Sequence, residues 1–138
     1  MRNSKPILLI EDDNVDAMTV KRAFKELNIT NELVRTVNGE QAIEYLSKSE
    51  NGKPCIIITD LNMPKMNGIE FVKAVKTREE LKNIPIIVLT TSKDESDKLE
   101  TFRQSVAGYM VKPVDYVQFV EAVRAINLYW TLSELPDN

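Results

Sequence analysis

Histidine does not occur in this 138-residue chain, and cysteine occurs once. The first absence excludes Ser-His-Asp and Cys-His nucleophile pairs, imidazole metal sites and a phosphohistidine carried by the chain itself. The second excludes an internal disulfide, and the two together exclude a zinc site of Cys and His ligands. Cys55 lies in an apolar run, the setting of a small buried hydrophobe in a reducing compartment. Long apolar segments are missing too. The N-terminal run from Pro6 to Ile10 reaches an acidic cluster at once, too short for a signal peptide or a membrane span, so no membrane partner is expected. Nor is there an excess of positive charge: 18 basic against 21 acidic side chains give a net charge of −3 and no field for collecting nucleic acid. Proteins or small ions are the expected partners, and the cytoplasm the expected compartment.

Short apolar runs alternate with amphipathic stretches. The runs Ile7 to Ile10, Leu33 to Val37, Cys55 to Ile58, Ile86 to Leu89 and Gly108 to Val111 predict strands. Three of them are continuously hydrophobic, the pattern of parallel strands covered by helices on both faces. Helical stripes lie between: Val15 to Leu27, Gly39 to Ser47, Ile69 to Lys76, Glu95 to Gln104, and a last one after Pro113 with Phe119, Val123, Ile126 and Trp130 in phase. No repeat, linker or low-complexity tract interrupts them. We expect one α/β domain over residues 1–138, a doubly wound (βα)5 with a five-stranded parallel sheet. Its core covers about residues 5–132, and a short tail follows from 133 to 138.

Right-handed crossovers put the carboxyl ends of all five strands on one rim, where ligands of such sheets bind. That rim receives Glu11, Asp12 and Asp13 after the first strand, Asp60 after the third, Thr90, Thr91 and Ser92 after the fourth, and Lys112 and Pro113 after the fifth. Converging carboxylates repel one another strongly at low dielectric, and one lysine balances one charge. A divalent ion fits the remainder. All-oxygen ligation without His or Cys points to Mg2+, which keeps several waters and bridges to phosphate. Asp60 is then the nucleophile that forms an acyl phosphate, Thr90 and Lys112 donate to its oxygens, and Asp12 and Asp13 hold the metal directly or through water. Taken alone, Asp13 or Asn14 equally suits a helix cap, and Asp16 suits the first-turn dipole better than a ligand role.

The chain resembles the receiver domain of bacterial two-component response regulators, the CheY-like family. The matching elements are Glu11-Asp12-Asp13, the run Asp60-Leu61-Asn62-Met63-Pro64-Lys65-Met66-Asn67-Gly68, Thr90 thirty positions beyond Asp60, Tyr109, and Lys112-Pro113 fifty-two positions beyond Asp60. The resemblance implies a flavodoxin-like strand order of 2-1-3-4-5 and a switch that takes a phosphoryl group from a sensor histidine kinase onto Asp60 with Mg2+. It implies Asp13 and Asp60 as metal ligands, the backbone carbonyl of Asn62 as a third, and Asp12 acting through water. It implies Thr90 and Tyr109 as a switch pair, Lys112 on the phosphoryl group, and a cis bond before Pro113. The loop from Asn51 to Pro54, the Thr90-Thr91-Ser92 triplet and the stretch from Asn127 to Trp130 are similar to single-domain regulators that serve phytochrome-type kinases.

No effector domain is expected after the last helix, so output passes through a protein contact on the fourth helix, fifth strand and fifth helix. Tyr116, Tyr129, Trp130 and Leu132 give that end the large apolar groups of a homodimer patch. Trp130, in phase with Ile126, equally suits the domain's own core. The downstream protein is left open, as is a role draining phosphoryl groups from a branched relay. A haloacid-dehalogenase-type phosphatase also uses an Asp nucleophile with Mg2+. It needs an acid two residues later, where this chain has Asn62, and an amide cannot pass the proton. A flavodoxin-like carrier needs a Gly- and Ser-rich loop after the first strand, where four acidic or amide residues stand instead.

Overall fold

Each apolar run folds into a strand whose neighbours are distant in sequence. The structure, a computed structural model, describes residues 5–61, 63, 65–91 and 94–132, with the backbone alone at Ser49, Glu95 and 129–132. The elements in order are β1 (Ile7–Ile10), α1 (Asn14–Glu26), β2 (Leu33–Thr36), α2 (Gly39–Ser47), β3 (Ile56–Thr59), α3 (Gly68–Lys76), β4 (Ile86–Thr90), α4 (Glu95–Arg103), β5 (Gly108–Val111) and α5 (Tyr116–Leu132). All strand pairs are parallel and the order is β2-β1-β3-β4-β5, as expected.

The sheet is buried from both sides because its central strands carry apolar side chains at every position but the last of β3 and β4, which are the buried threonines Thr59 and Thr90. Alternation along β1 sends Ile7 and Leu9 toward α1 and α5, where they join Val20, Phe24, Phe119, Val123 and Ile126. Leu8 and Ile10 face the other way, onto Ala42, Leu46, Phe71, Val72 and Val75 of α2 and α3. The edge strands β2 and β5 are partly exposed, which is why their sequences are more polar. Polar caps start the helices: Asp13, Asn38, Asn67 and Asp94 each accept a first-turn N–H, and Asn67 with Glu70 closes a capping box.

Several element ends differ by one residue from the sequence expectation, β2 stopping at Thr36, β4 running on to Thr90, α1 covering Asn14–Glu26, α3 starting at Gly68 and α4 stopping at Arg103. Cys55 precedes β3, its N–H donating to the Pro6 carbonyl, and Thr59 takes the last strand position. The thiol is buried, and that burial pushes its pKa up to about 11, which keeps it protonated and inert. Among the described residues no helix is long and apolar enough to cross a membrane. The tail 133–138 lies outside the described residues, as do the side chains of Tyr129, Trp130 and Leu132.

Candidate functional site

β1, β3 and β5 end on the same rim, β4 lying between the last two, and the chain places a charged residue directly after each. Glu11 follows β1, its N–H held by the Thr36 carbonyl at 3.0 Å, and it is only 2% exposed. Asp60 follows β3 and is 8% exposed; its N–H donates to the Ile10 carbonyl, and its Oδ1 accepts the Leu61 N–H at 2.6 Å. Lys112 follows β5, anchored by its N–H on the Thr90 carbonyl at 2.7 Å. Its stem carries the ammonium into the space between the acids. Nζ donates to Glu11 Oε1 at 2.7 Å, to Asp60 Oδ2 at 3.2 Å and to Asp16 Oδ2 at 3.2 Å.

Burial pushes the Glu11 carboxyl above the usual range, although Lys112 pulls it down. For Lys112 burial acts downward, but the hydrogen bond it donates to Glu11 and the charges of Asp60, Glu11 and Asp16 together hold the ammonium above the ordinary lysine range. It is charged at neutral pH, one cation among three carboxylates. Asp12 sits exposed beside this cluster and makes no hydrogen bond or ion pair among the described residues.

The two neighbouring acids divide differently from the expectation. Asp13 is the N-cap of α1, its Oδ1 accepting from Val15 N at 2.8 Å and Asp16 N at 3.3 Å, so its carboxylate serves the helix terminus. The acid that shares Lys112 with Asp60 is Glu11. The reason lies in strand alternation: one step beyond Ile10, Glu11 points to the face that carries Leu9, Asp16 and Lys112. Asp16 is also more than a dipole complement, since it pairs with Lys112. The bond before Pro113 was expected cis; it is trans, as no peptide bond among the described residues is cis. Trans is the lower-energy isomer, and the four-carbon stem of Lys112 reaches the pocket without the cis turn.

Thr90 ends β4 fully buried, on the strand next to Asp60. Tyr109 lies one strand further out, in register with Val88, half-buried, its ring tilted against Phe102 of α4 with centroids 6.3 Å apart. Asn62 and Ser92 lie outside the described residues. Tyr116, half-buried, packs against α1: its ring lies under the Arg22 guanidinium at 4.1 Å and its hydroxyl donates to Glu26 Oε1 at 3.4 Å.

Sequence reasoning gave no role to Gly68. A Cβ there would come within 2.8 Å of Leu61 Cα and closer still to the Asp60 carbonyl oxygen. The signal was a glycine opening a helix, where alanine is the better former, which marks a close approach of two backbones.

This geometry coincides with a family match. The model of the response regulator receiver domain matches residues 7–124. Response regulator Rcp1 of Synechocystis is 34% identical over 130 residues, covering 91% of this chain and 88% of its own. A probable methanogenesis regulatory protein, FilR2 of Methanothrix harundinacea, is 35% identical over 127 residues, covering 90% and 82%. The phosphorylated cyanobacterial phytochrome response regulator RcpA superposes with a TM-score of 0.88 at 31% identity over 96% of this chain and 99% of its own. The Mn2+-bound form of Rcp1 does so with the same score at 32% identity, over 96% and 99%. The chain belongs to the response regulator receiver domain family, the receiving half of two-component signalling, and is similar to phytochrome-associated regulators.

Proposed function

We propose that Asp60 accepts a phosphoryl group from a histidine kinase and that residues 1–138 act as one receiver. The observation that carries this is the buried Asp60 carboxylate at the reversal of strand order, with a charged Lys112 shared between it and Glu11. An Asp60 oxygen attacks phosphorus, the P–N bond to the donor imidazole breaks and an acyl phosphate forms; water later attacks phosphorus and releases phosphate. Lys112 already lies against Oδ2, where the phosphoryl oxygens gather charge. Thr90, on the adjacent strand end, supplies a hydroxyl donor, and Tyr109 is the aromatic that follows its movement by sliding against Phe102.

The donor set suits a hard cation. No three acidic side chains close on one ion among the described residues. Mg2+ asks for less, since one or two carboxylates plus phosphate and waters suffice. We assign Asp12 and Asp60 to it, with Glu11 acting through water and the Asn62 carbonyl as a further oxygen. When bound, Mg2+ supplies positive charge that offsets the carboxylates and the phosphoryl oxygens. Asp13 leaves the donor set. Asp13→Ser is therefore expected to keep both helix cap and Mg2+ affinity, Asp13→Ala to lose about 1 kcal/mol of stability with Mg2+ affinity kept, and Asp12→Asn to lose most of the binding. Urea unfolding and Mg2+ titration calorimetry check the three. Loss of Mg2+ binding in Asp13→Ser would return Asp13 to the metal.

Val15 and Met18 of α1 and Val114 and Val117 before and in α5, the two elements that begin next to the acidic loop and Lys112, are exposed. These exposed apolar side chains support docking of a sensor kinase, of phytochrome type by the likeness to RcpA and Rcp1. We assign output to α4, β5 and α5, where Leu99, Phe102 and Val111 are exposed and Tyr109 leans on Phe102. A homodimer through this face would cover those three side chains. The protein turns over no diffusible substrate in this reading, and its compartment is that of its kinase domain, the cytoplasm.

Acetyl phosphate with Mg2+ tests the proposal. Intact mass is expected to show a single phosphoryl adduct on the wild type, lost on treatment with hydroxylamine, and none on Asp60→Asn. An adduct of equal yield on Asp60→Asn would refute it.

A further inference from the structure

The loop Glu11-Asp12-Asp13-Asn14 carries the acids of the site, and a side chain from the edge strand holds both of its ends. Arg35 lies in β2 opposite Leu9 of β1, so its side chain leaves the sheet on the face to which Glu11 also points. Its Nε donates to the Glu11 carbonyl at 2.9 Å, and its Nη1 donates to Asn14 Oδ1 at 2.8 Å. The strand adds a third tie through the Thr36 carbonyl on Glu11 N–H, and Glu11 Oε2 accepts the Asp13 N–H at 3.2 Å. Asp12 is thus spanned by a rigid fork with both neighbouring peptide units fixed, while its own carboxylate has no partner among the described residues.

We infer that Arg35 is a positioning residue that clamps the acidic loop and sets Asp12 at the place from which it serves Mg2+ beside Asp60. The inference rests on the assignment of Asp12 and Asp60 to Mg2+ above. A guanidinium suits the task because one planar group reaches a main-chain carbonyl and a side-chain amide oxygen at once. Lysine keeps the charge but has a single ammonium on a flexible stem and cannot hold both ends in fixed geometry.

Charge and geometry act in opposite directions here, which makes the role testable. If Arg35 acted only as a charge, removing it would relieve repulsion of the cation and tighten Mg2+ binding. A clamp predicts the reverse. Residues that orient a ligand from behind change metal affinity about tenfold or more when lost. Arg35→Met and Arg35→Lys are both expected to weaken Mg2+ about tenfold in titration calorimetry. Phosphorylation by acetyl phosphate is expected to return to the wild-type rate at saturating Mg2+, because Asp60, Lys112 and Thr90 are untouched. Arg35 is exposed on an edge strand, so both variants are expected to fold, with the thermal midpoint as the check.

Unchanged or tighter Mg2+ binding in Arg35→Met, or wild-type affinity in Arg35→Lys, overturns the clamp while leaving the metal assignment in place. Wild-type binding that is absent, or that survives Asp12→Asn, overturns the metal assignment and the clamp together.

Discussion

Replacing Lys112 with Met is expected to destabilise the domain by about 3 kcal/mol at neutral pH, the scale of breaking a buried ion pair from one side. It is also expected to slow phosphorylation of Asp60 by about a hundredfold or more, as loss of one preorganised donor does. The stability effect arises because Glu11 and Asp60 are both buried and share this ammonium. Methionine fills the volume of the stem and leaves two carboxylates facing each other. Burial already raises Glu11 in the wild type; without the hydrogen bond and charge of Lys112 it rises further. A carboxyl raised on folding contributes stability that is fully present below its unfolded value near 4.5 and is lost as pH rises through the raised folded value. The variant is therefore expected to recover in mild acid, and urea midpoints from pH 4 to pH 8 report it. Equal loss at every pH would show that the charge between the acids is not the cause.

Gly68→Ala is expected to cost about 3 kcal/mol, against the roughly 1 kcal/mol by which alanine favours a helix. The sign follows from what stands in the way. The added methyl meets the Asp60 carbonyl and Leu61 Cα, which are backbone atoms, and the Gly68 N–H is bonded to the Leu61 carbonyl at 3.0 Å. Leu61 Cδ2, at 3.0 Å, is a side-chain end that can turn away, but the two nearer atoms are backbone and cannot, so α3 must retreat from β3. Asp60 moves with its own peptide, and a displacement of about 1 Å at a reacting group costs on the order of a hundredfold in rate. Lower urea stability and slower acetyl phosphate labelling are expected together. A variant as stable as wild type would mean that α3 has room to shift.

The strands and the sheet order were legible because burial on two faces leaves a continuous apolar signature in β1, β3 and β4. Even the more polar edge strands were bounded by turn residues. The rim residues were legible because parallel topology alone sends every strand end to one side. What the sequence could not separate was the work of three consecutive acids. A helix cap and a metal ligand are the same residue type, and Asp13 stands where either fits; only the position of the α1 terminus decides for the cap. Glu11 was recoverable by extending the alternation of β1 one residue past its end. Arg35 and Asp16 were not, since their partners are 24 and 96 residues away along the chain and depend on how β2 and α1 settle against β1 and β5. The resemblance also carried a cis proline that this chain does not adopt, since Lys112 reaches its partners from a trans bond.

The most direct test of the central claim is to locate the acyl phosphate. Wild-type protein phosphorylated with acetyl phosphate and Mg2+ is reduced with borohydride, which converts an aspartyl phosphate to an alcohol, and the peptides are sequenced. The account predicts reduction at position 60 alone, dependent on Mg2+. Reduction at Asp12 or Asp13, or reduction at Asp60 of the same extent without Mg2+, would contradict it.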